Sequence, residues 1–112
     1  MKKIMTRLYK IEYYVPESHL EITKEALFNA GAGRIGNYDS CCWTTFGTGQ
    51  FRPLDGSSPY QGKTNITEKV KEYKVELICA EKFLKTSIKA MKKAHPYETP
   101  AYNYWSINVI ER

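Results

Sequence analysis

Alternation of apolar and polar positions marks two stretches of the chain as strands. Between Arg7 and Val15, Tyr9, Ile11, Tyr13 and Val15 alternate with Lys10, Glu12 and Tyr14. That is the period of a half-buried strand. Residues 69–79 repeat it, with Tyr73, Val75 and Leu77 on one face and Lys74 and Glu76 on the other. Residues 101–110 read as a last strand, with Trp105, Ile107 and Val109 sharing a face. Residues 40–51 read as extended, and Gly47 and Gly49 within them mark a bulge or a close backbone approach.

Two segments switch to the helical period. Leu20, Thr23, Leu27 and Ala30 predict a helix over 17–30, with Ser18 and Glu21 at capping-box spacing and Gly31 as its C′ residue. Leu84, Ile88 and Met91 predict an amphipathic helix over 81–94, which Pro96 ends. Residues 52–68 carry Pro53, Gly56, Pro59 and Gly62 and read as a long loop. Loops of that length in compact domains are usually functional or mobile; this one is expected to be the most mobile or most partner-dependent segment.

The order β-α-β-β-α-β, with right-handed crossovers, places two helices on one face of a four-stranded antiparallel sheet. The fold class is α+β, a ferredoxin-like sandwich. Its other face stays open. Tyr14, Ile78, Tyr102, Tyr104 and Ile110 are expected to project there, and an apolar face of that kind suits self-association.

Composition narrows the class without naming a function. The 112 residues are 42% hydrophobic and 26% charged, which fits a single domain over 1–112 and excludes disorder, collagen and coiled coil. The net charge of +5 permits anionic partners. Five of the positive charges, Lys82, Lys85, Lys89, Lys92 and Lys93, fall on the second helix and read as a solvated face rather than a binding stripe. Three cysteines, Cys41, Cys42 and Cys79, are too few for a disulfide scaffold and read as small buried residues. Lys2 and Lys3 could open a signal peptide, but Arg7, Lys10 and Glu12 interrupt any apolar run behind them. No run is long enough for a membrane span. A cytoplasmic location is the expectation.

Candidate chemistry is sparse. Gly31-Ala32-Gly33-Arg34-Ile35-Gly36 spells G-x-G-x-x-G, yet it follows a helix and precedes a strand. A dinucleotide site needs the reverse order, so the glycines are read as a helix stop and a tight turn. No nucleophile elbow, P-loop or H-E-x-x-H occurs. Of the two histidines, His19 is expected in an exposed first helical turn. His95 opens His95-Pro96-Tyr97-Glu98-Thr99-Pro100, where two prolines hold an imidazole and a carboxylate in a fixed relation. His95 and Glu98 could ligate a divalent metal or relay a proton. Two ligands fall short of a closed site, so a structural or interfacial role is favoured.

The stretch from Gly31 to Cys41 resembles the "GAGxIGNYxxC" signature of the YqfO-type domain, which occurs inserted in bacterial Nif-three-like (NGG-interacting-factor-like) proteins and as free-standing small proteins. Gly47 to Pro53 resembles that domain's next segment, and Gly56, Pro59 and Gly62 match its "GxxPxxG" loop. His95 to Tyr102 resembles its closing "HPYEEPAY", with Thr99 in place of the second glutamate, and also resembles the end of CutA proteins. The resemblance implies the free-standing form of the domain, the CutA/PII-like version of the fold, and assembly as a homotrimer. It carries over no metal ligands, because those of the Nif-three-like proteins belong to another domain.

Three functions follow as expectations. The first is a non-catalytic, trimeric module that binds a small ligand, a metal ion or a protein partner, with Asn37, Tyr38, Asp39, His95, Tyr97 and Glu98 as ligand or interface candidates. No cofactor is certain, and a divalent metal, of the copper type associated with CutA, is an alternative. The last is a nucleic-acid-binding domain. That reading is demoted, because Lys71 to Leu77 on the third strand lacks the glycine and aromatic pattern of RNA-stacking strands; an acylphosphatase-like enzyme on the same fold is weaker still, with no loop motif behind it.

Overall fold

The computed structural model describes residues 7–110. Lys2 and Lys3 lie outside them. The elements are β1 (Leu8–Pro16), α1 (Leu20–Asn29), β2 (Trp43–Phe51), β3 (Glu68–Ala80), α2 (Glu81–Ala94) and β4 (Tyr102–Ile107). All neighbours in the sheet are antiparallel, in the order β2-β3-β1-β4. This is the ferredoxin-like sandwich expected from the sequence.

β1 is the spine. Ile11, Tyr13 and Val15 are fully buried, opposite Leu77, Val75 and Tyr73 of β3. The helices close over that face with Leu27 and Met91, both fully buried, and with Leu84. Thr23 and Ser87 are the buried hydroxyls there. Thr23 accepts from the Tyr13 hydroxyl at 2.9 Å and donates back to the His19 carbonyl at 2.8 Å, so a polar pair is satisfied inside the core. The five α2 lysines are all exposed, as a solvated face requires.

The start of α1 departs from the expected capping box. Glu17–His19 form a 3-10 turn, the helix has no side-chain cap, and the Ser18 hydroxyl pairs instead with His19 Nδ1 at 2.8 Å. Pro16 is still paired with Glu72 and opens the turn. The helix stop holds. Gly31, at φ 111°, sits where a Cβ would meet the Phe83 ring at 2.6 Å. Both its backbone and its position exclude a side chain.

β4 corrects the expected register. Tyr102 and Tyr104 pair with Tyr13 and Ile11, so they share the helix-side parity rather than the open face. Trp105 and Ile107, opposite Lys10 and Leu8, take the open side instead. The strand ends at Ile107, leaving Val109 and Ile110 exposed beyond it. Tyr14 and Ile78 do lie on the open side, beside Lys74 and Lys10. That face also carries Glu12, whose carboxylate bridges Lys74 at 3.3 Å and accepts from Asn103 at 2.9 Å. It is thus striped with charge as well as apolar. Cys79 is buried, but Cys41 and Cys42 are only half-buried, Cys42 against the edge of the core.

Candidate functional site

The β2–β3 hairpin is longer than the rest of the sheet. Residues 48–51 pair with 68–71, past the end of the β1 pairing at Glu72. Over this projecting end two segments fold back, residues 52–67 and residues 95–101. Between them and the open sheet face lies a groove of about 320 Å³. Tyr14, Phe51, Pro53, Tyr60 and Tyr97 give it apolar walls, and Glu72 and Glu98 give it carboxylates.

Each side chain is placed by an identifiable local cause. The 52–67 loop is not structureless. Ser57 closes a turn on Leu54, Asn65 at φ 64° returns its N–H to Pro53, and Pro53 is buried beneath. The Glu98 carboxylate accepts the Ser58 N–H at 3.0 Å, so the loop is tied to the segment after α2. The Tyr97 hydroxyl donates to Glu72 at 2.8 Å. Glu72 reaches it by lying across Gly49, where a Cβ would collide with the carboxylate. Gly49 is therefore the close approach foreseen in β2, and the ladder passes through it without a bulge. Burial and the neighbouring Glu72 charge push the Tyr97 phenol well above its ordinary range.

His95 is the hinge of this corner. It is 7% exposed. The Tyr97 N–H donates to Nδ1 at 3.2 Å, so the proton sits on Nε2, which donates to the Tyr14 carbonyl at 2.7 Å. Both ring nitrogens are consumed. Burial is the main cause that holds the imidazole below its ordinary pKa, and the Tyr14 bond opposes it. A neutral, doubly bonded ring has no lone pair left for a metal. Among the described residues no three His, Cys, Asp or Glu side chains gather as a metal cluster.

The candidate residues fall at two ends of the sheet. His95, Tyr97 and Glu98 meet in one corner. Asn37, Tyr38 and Asp39 do not reach it. Asn37 and Tyr38 belong to a tight turn in which Ile35 and Tyr38 exchange both backbone bonds at 2.9 Å, with Gly36 at φ 56°, and Asp39 follows it. That turn hangs from Gly33, whose N–H bonds the Ile78 carbonyl. Ile78 lies six residues along β3 from Glu72, about 20 Å at strand rise. Tyr38 is 75% exposed. His19 is half-buried rather than exposed, its ring edge-on to Tyr60 at 5.9 Å.

Sequence reading missed Phe51, Tyr60 and Glu72 as groove residues. A glycine opposite an acidic strand residue was the one local signal, and Tyr60 in a proline-glycine loop carries none.

Comparison with known proteins agrees with the fold. No family model matches the chain. Over 100 residues it is 44% identical to the GTP cyclohydrolase 1 type 2 homolog of Halalkalibacterium halodurans, covering 89% of this chain and 27% of that protein. A Bacillus cereus protein related to NIF3 superposes with a TM-score of 0.83 at 35% identity, over 97% of this chain and 28% of that one. CutA from Xylella fastidiosa superposes with a TM-score of 0.67 at 17% identity, covering 93% and 86%. The last likeness is one of fold. The chain spans about a quarter of the length of the curated relatives it matches.

Proposed function

We propose that this chain is a non-catalytic binding module of the kind embedded in Nif-three-like proteins, that it assembles as a homotrimer, and that the groove under the 52–67 loop is its ligand site. The observation that carries the reading is the groove itself. Apolar walls with a few converging polar groups are what small-molecule sites look like. Its parts come from β2, β3, the loop and the segment after α2, tied to one another by the Tyr97–Glu72 and Glu98–Ser58 bonds.

Self-association is supported by the sheet edges. β2 and β4 are both edge strands, and Trp43, Phe46, Tyr104 and Trp105 stand on them 45–68% exposed. Unprotected edges with aromatic side chains favour pairing with another chain. A head-to-tail pairing of unlike edges whose rotation closes makes a ring. The Tyr38 turn is the natural second contact, and in a ring it can approach a neighbour's His95 corner.

The names of the relatives invoke GTP. Two carboxylates and no cationic side chain line the groove, which disfavours a triphosphate in this part of such a protein. Glu12, Glu72 and Glu76 on the open face likewise disfavour nucleic acid. The three free thiols fit a cytoplasmic location. No helix among the described residues is long and apolar enough to cross a membrane.

Light scattering at micromolar protein tests the assembly. About three times the 13.0 kDa chain mass is expected. A concentration-independent monomer would end the trimer reading.

A further inference from the structure

The groove reads as more than a generic pocket, because its aromatic walls and its charge point the same way. Phe51 and Tyr97 have ring centroids 6.4 Å apart, and Tyr60 and Tyr97 6.1 Å apart. Phe51 and Tyr60 thus both neighbour Tyr97, and all three rings line the groove. Glu72 and Glu98 border it, each with one carboxylate oxygen already bonded, to the Tyr97 hydroxyl and the Ser58 N–H. The second oxygen of Glu72 lies against Gly49, and that of Glu98 accepts no hydrogen bond among the described residues. No lysine, arginine or histidine lines the groove, although the whole chain is +5. The nearest cation along the open face, Lys74, is turned to Glu12.

We infer that the groove takes a small free organic cation, an ammonium group on an apolar body. This rests on the reading of the groove as the ligand site and adds the ligand's chemistry. Ring faces attract cations, and quaternary ammonium groups are bound by such arrangements of aromatic rings. The two carboxylates at its border add a complementary charge. A phosphate or carboxylate ligand meets only repulsion. A neutral apolar ligand would strip water from two carboxylates without replacing it. A bare divalent ion finds two carboxylates and no third His, Cys, Asp or Glu among the described residues. The volume of about 320 Å³ lies at the small end of whole-molecule sites, which favours a free ligand over one inserted side chain.

Amide chemical-shift titration of the full chain tests this with four probes: choline, its neutral isostere 3,3-dimethylbutanol, propionate, and Nα-acetyl-lysine amide as a protein side chain. Choline is expected to shift Phe51, Gln61, Tyr97 and Glu98 saturably, and to bind at least about tenfold more tightly than the isostere. Glu72→Gln and Glu98→Gln should each weaken choline several-fold while leaving the isostere unchanged. Both variants keep a side chain of the same shape, and an unchanged remote spectrum confirms the fold. Equal binding of choline and the isostere would overturn the cation inference and leave the ligand site standing. Tighter binding of propionate would do the same. Tighter binding of the lysine derivative would overturn the assignment to a free ligand. No shift from any probe at millimolar concentration would remove the ligand site and the inference together.

Discussion

Replacing His95 by alanine isolates what the His95–Glu98 segment does. The substitution orphans the Tyr14 carbonyl and the Tyr97 N–H, the two backbone groups the ring now serves. Each unsatisfied buried group costs about 1–3 kcal/mol, and water entering the vacated space keeps both near the lower bound. Ring contacts are lost as well, with Tyr97 at 4.9 Å and Tyr13 at 6.4 Å between centroids, worth about 1 kcal/mol together. The sum is about 3 kcal/mol, or a midpoint lowered by on the order of 12 °C for a domain of this size. His95→Gln keeps one donor and one acceptor and should recover about half of the loss. The pH dependence separates the imidazole from other contributions. Burial lowers its folded pKa, so the unfolded chain binds the proton more readily. The stability it contributes is complete above about pH 6.5 and is lost as pH falls below that value. His95→Gln should flatten that window. Thermal melts from pH 5 to 8, run beside calorimetric titrations of copper and zinc, supply the readout. An unchanged midpoint in His95→Ala, together with loss of tight stoichiometric metal binding, would refute the structural role.

Other expectations follow from the same geometry. Gly49→Ala puts a methyl group into the Glu72 carboxylate and should cost about 1–2 kcal/mol by breaking the Tyr97 bond, read as a shifted urea midpoint with unchanged slope. Gly31→Ala forces a Cβ at φ 111° against Phe83 and should cost about 2 kcal/mol or more in the same assay. In alkaline absorbance titration, Tyr13 and Tyr97 should ionise after the exposed tyrosines, and Glu72→Gln should bring Tyr97 down by removing a neighbouring negative charge. RNA binding, if measured, should be independent of sequence and fall steeply with salt, since the open face carries Glu12, Glu68, Glu72 and Glu76 against Lys10 and Lys74.

Much of the fold was legible because its signals are local. β1 and β3 alternate cleanly, α2 keeps its lysines on one side, and Gly31 stops α1 where a left-handed residue is needed. β4 was misread for a definite reason. Tyr102, Tyr104, Trp105 and Ile107 put apolar groups on both faces, so hydrophobicity cannot choose the register, and pairing with β1 chose it instead. The Ser18 capping box lost to a 3-10 turn, in which the Ser18 hydroxyl goes to the adjacent imidazole. The site was half visible. The prolines around His95 announce a rigid corner, and the sequence favours a structural or interfacial role for His95 and Glu98 over a metal site. The partners that make it a site lie far away in sequence: Tyr14 is 81 residues from His95, and Ser58 is 40 from Glu98. No local pattern encodes such contacts. The loop's turns, too, depend on Asn65 closing onto Pro53 across twelve residues.

Native mass spectrometry of protein taken directly from cells tests the central claim, an assembled module holding a small ligand in its groove. The account predicts a trimer carrying up to one small organic molecule per chain, with that added mass lost in the double variant Glu72→Gln, Glu98→Gln while the trimer persists. A bare monomer, or a trimer whose bound mass is indifferent to both substitutions, would contradict it.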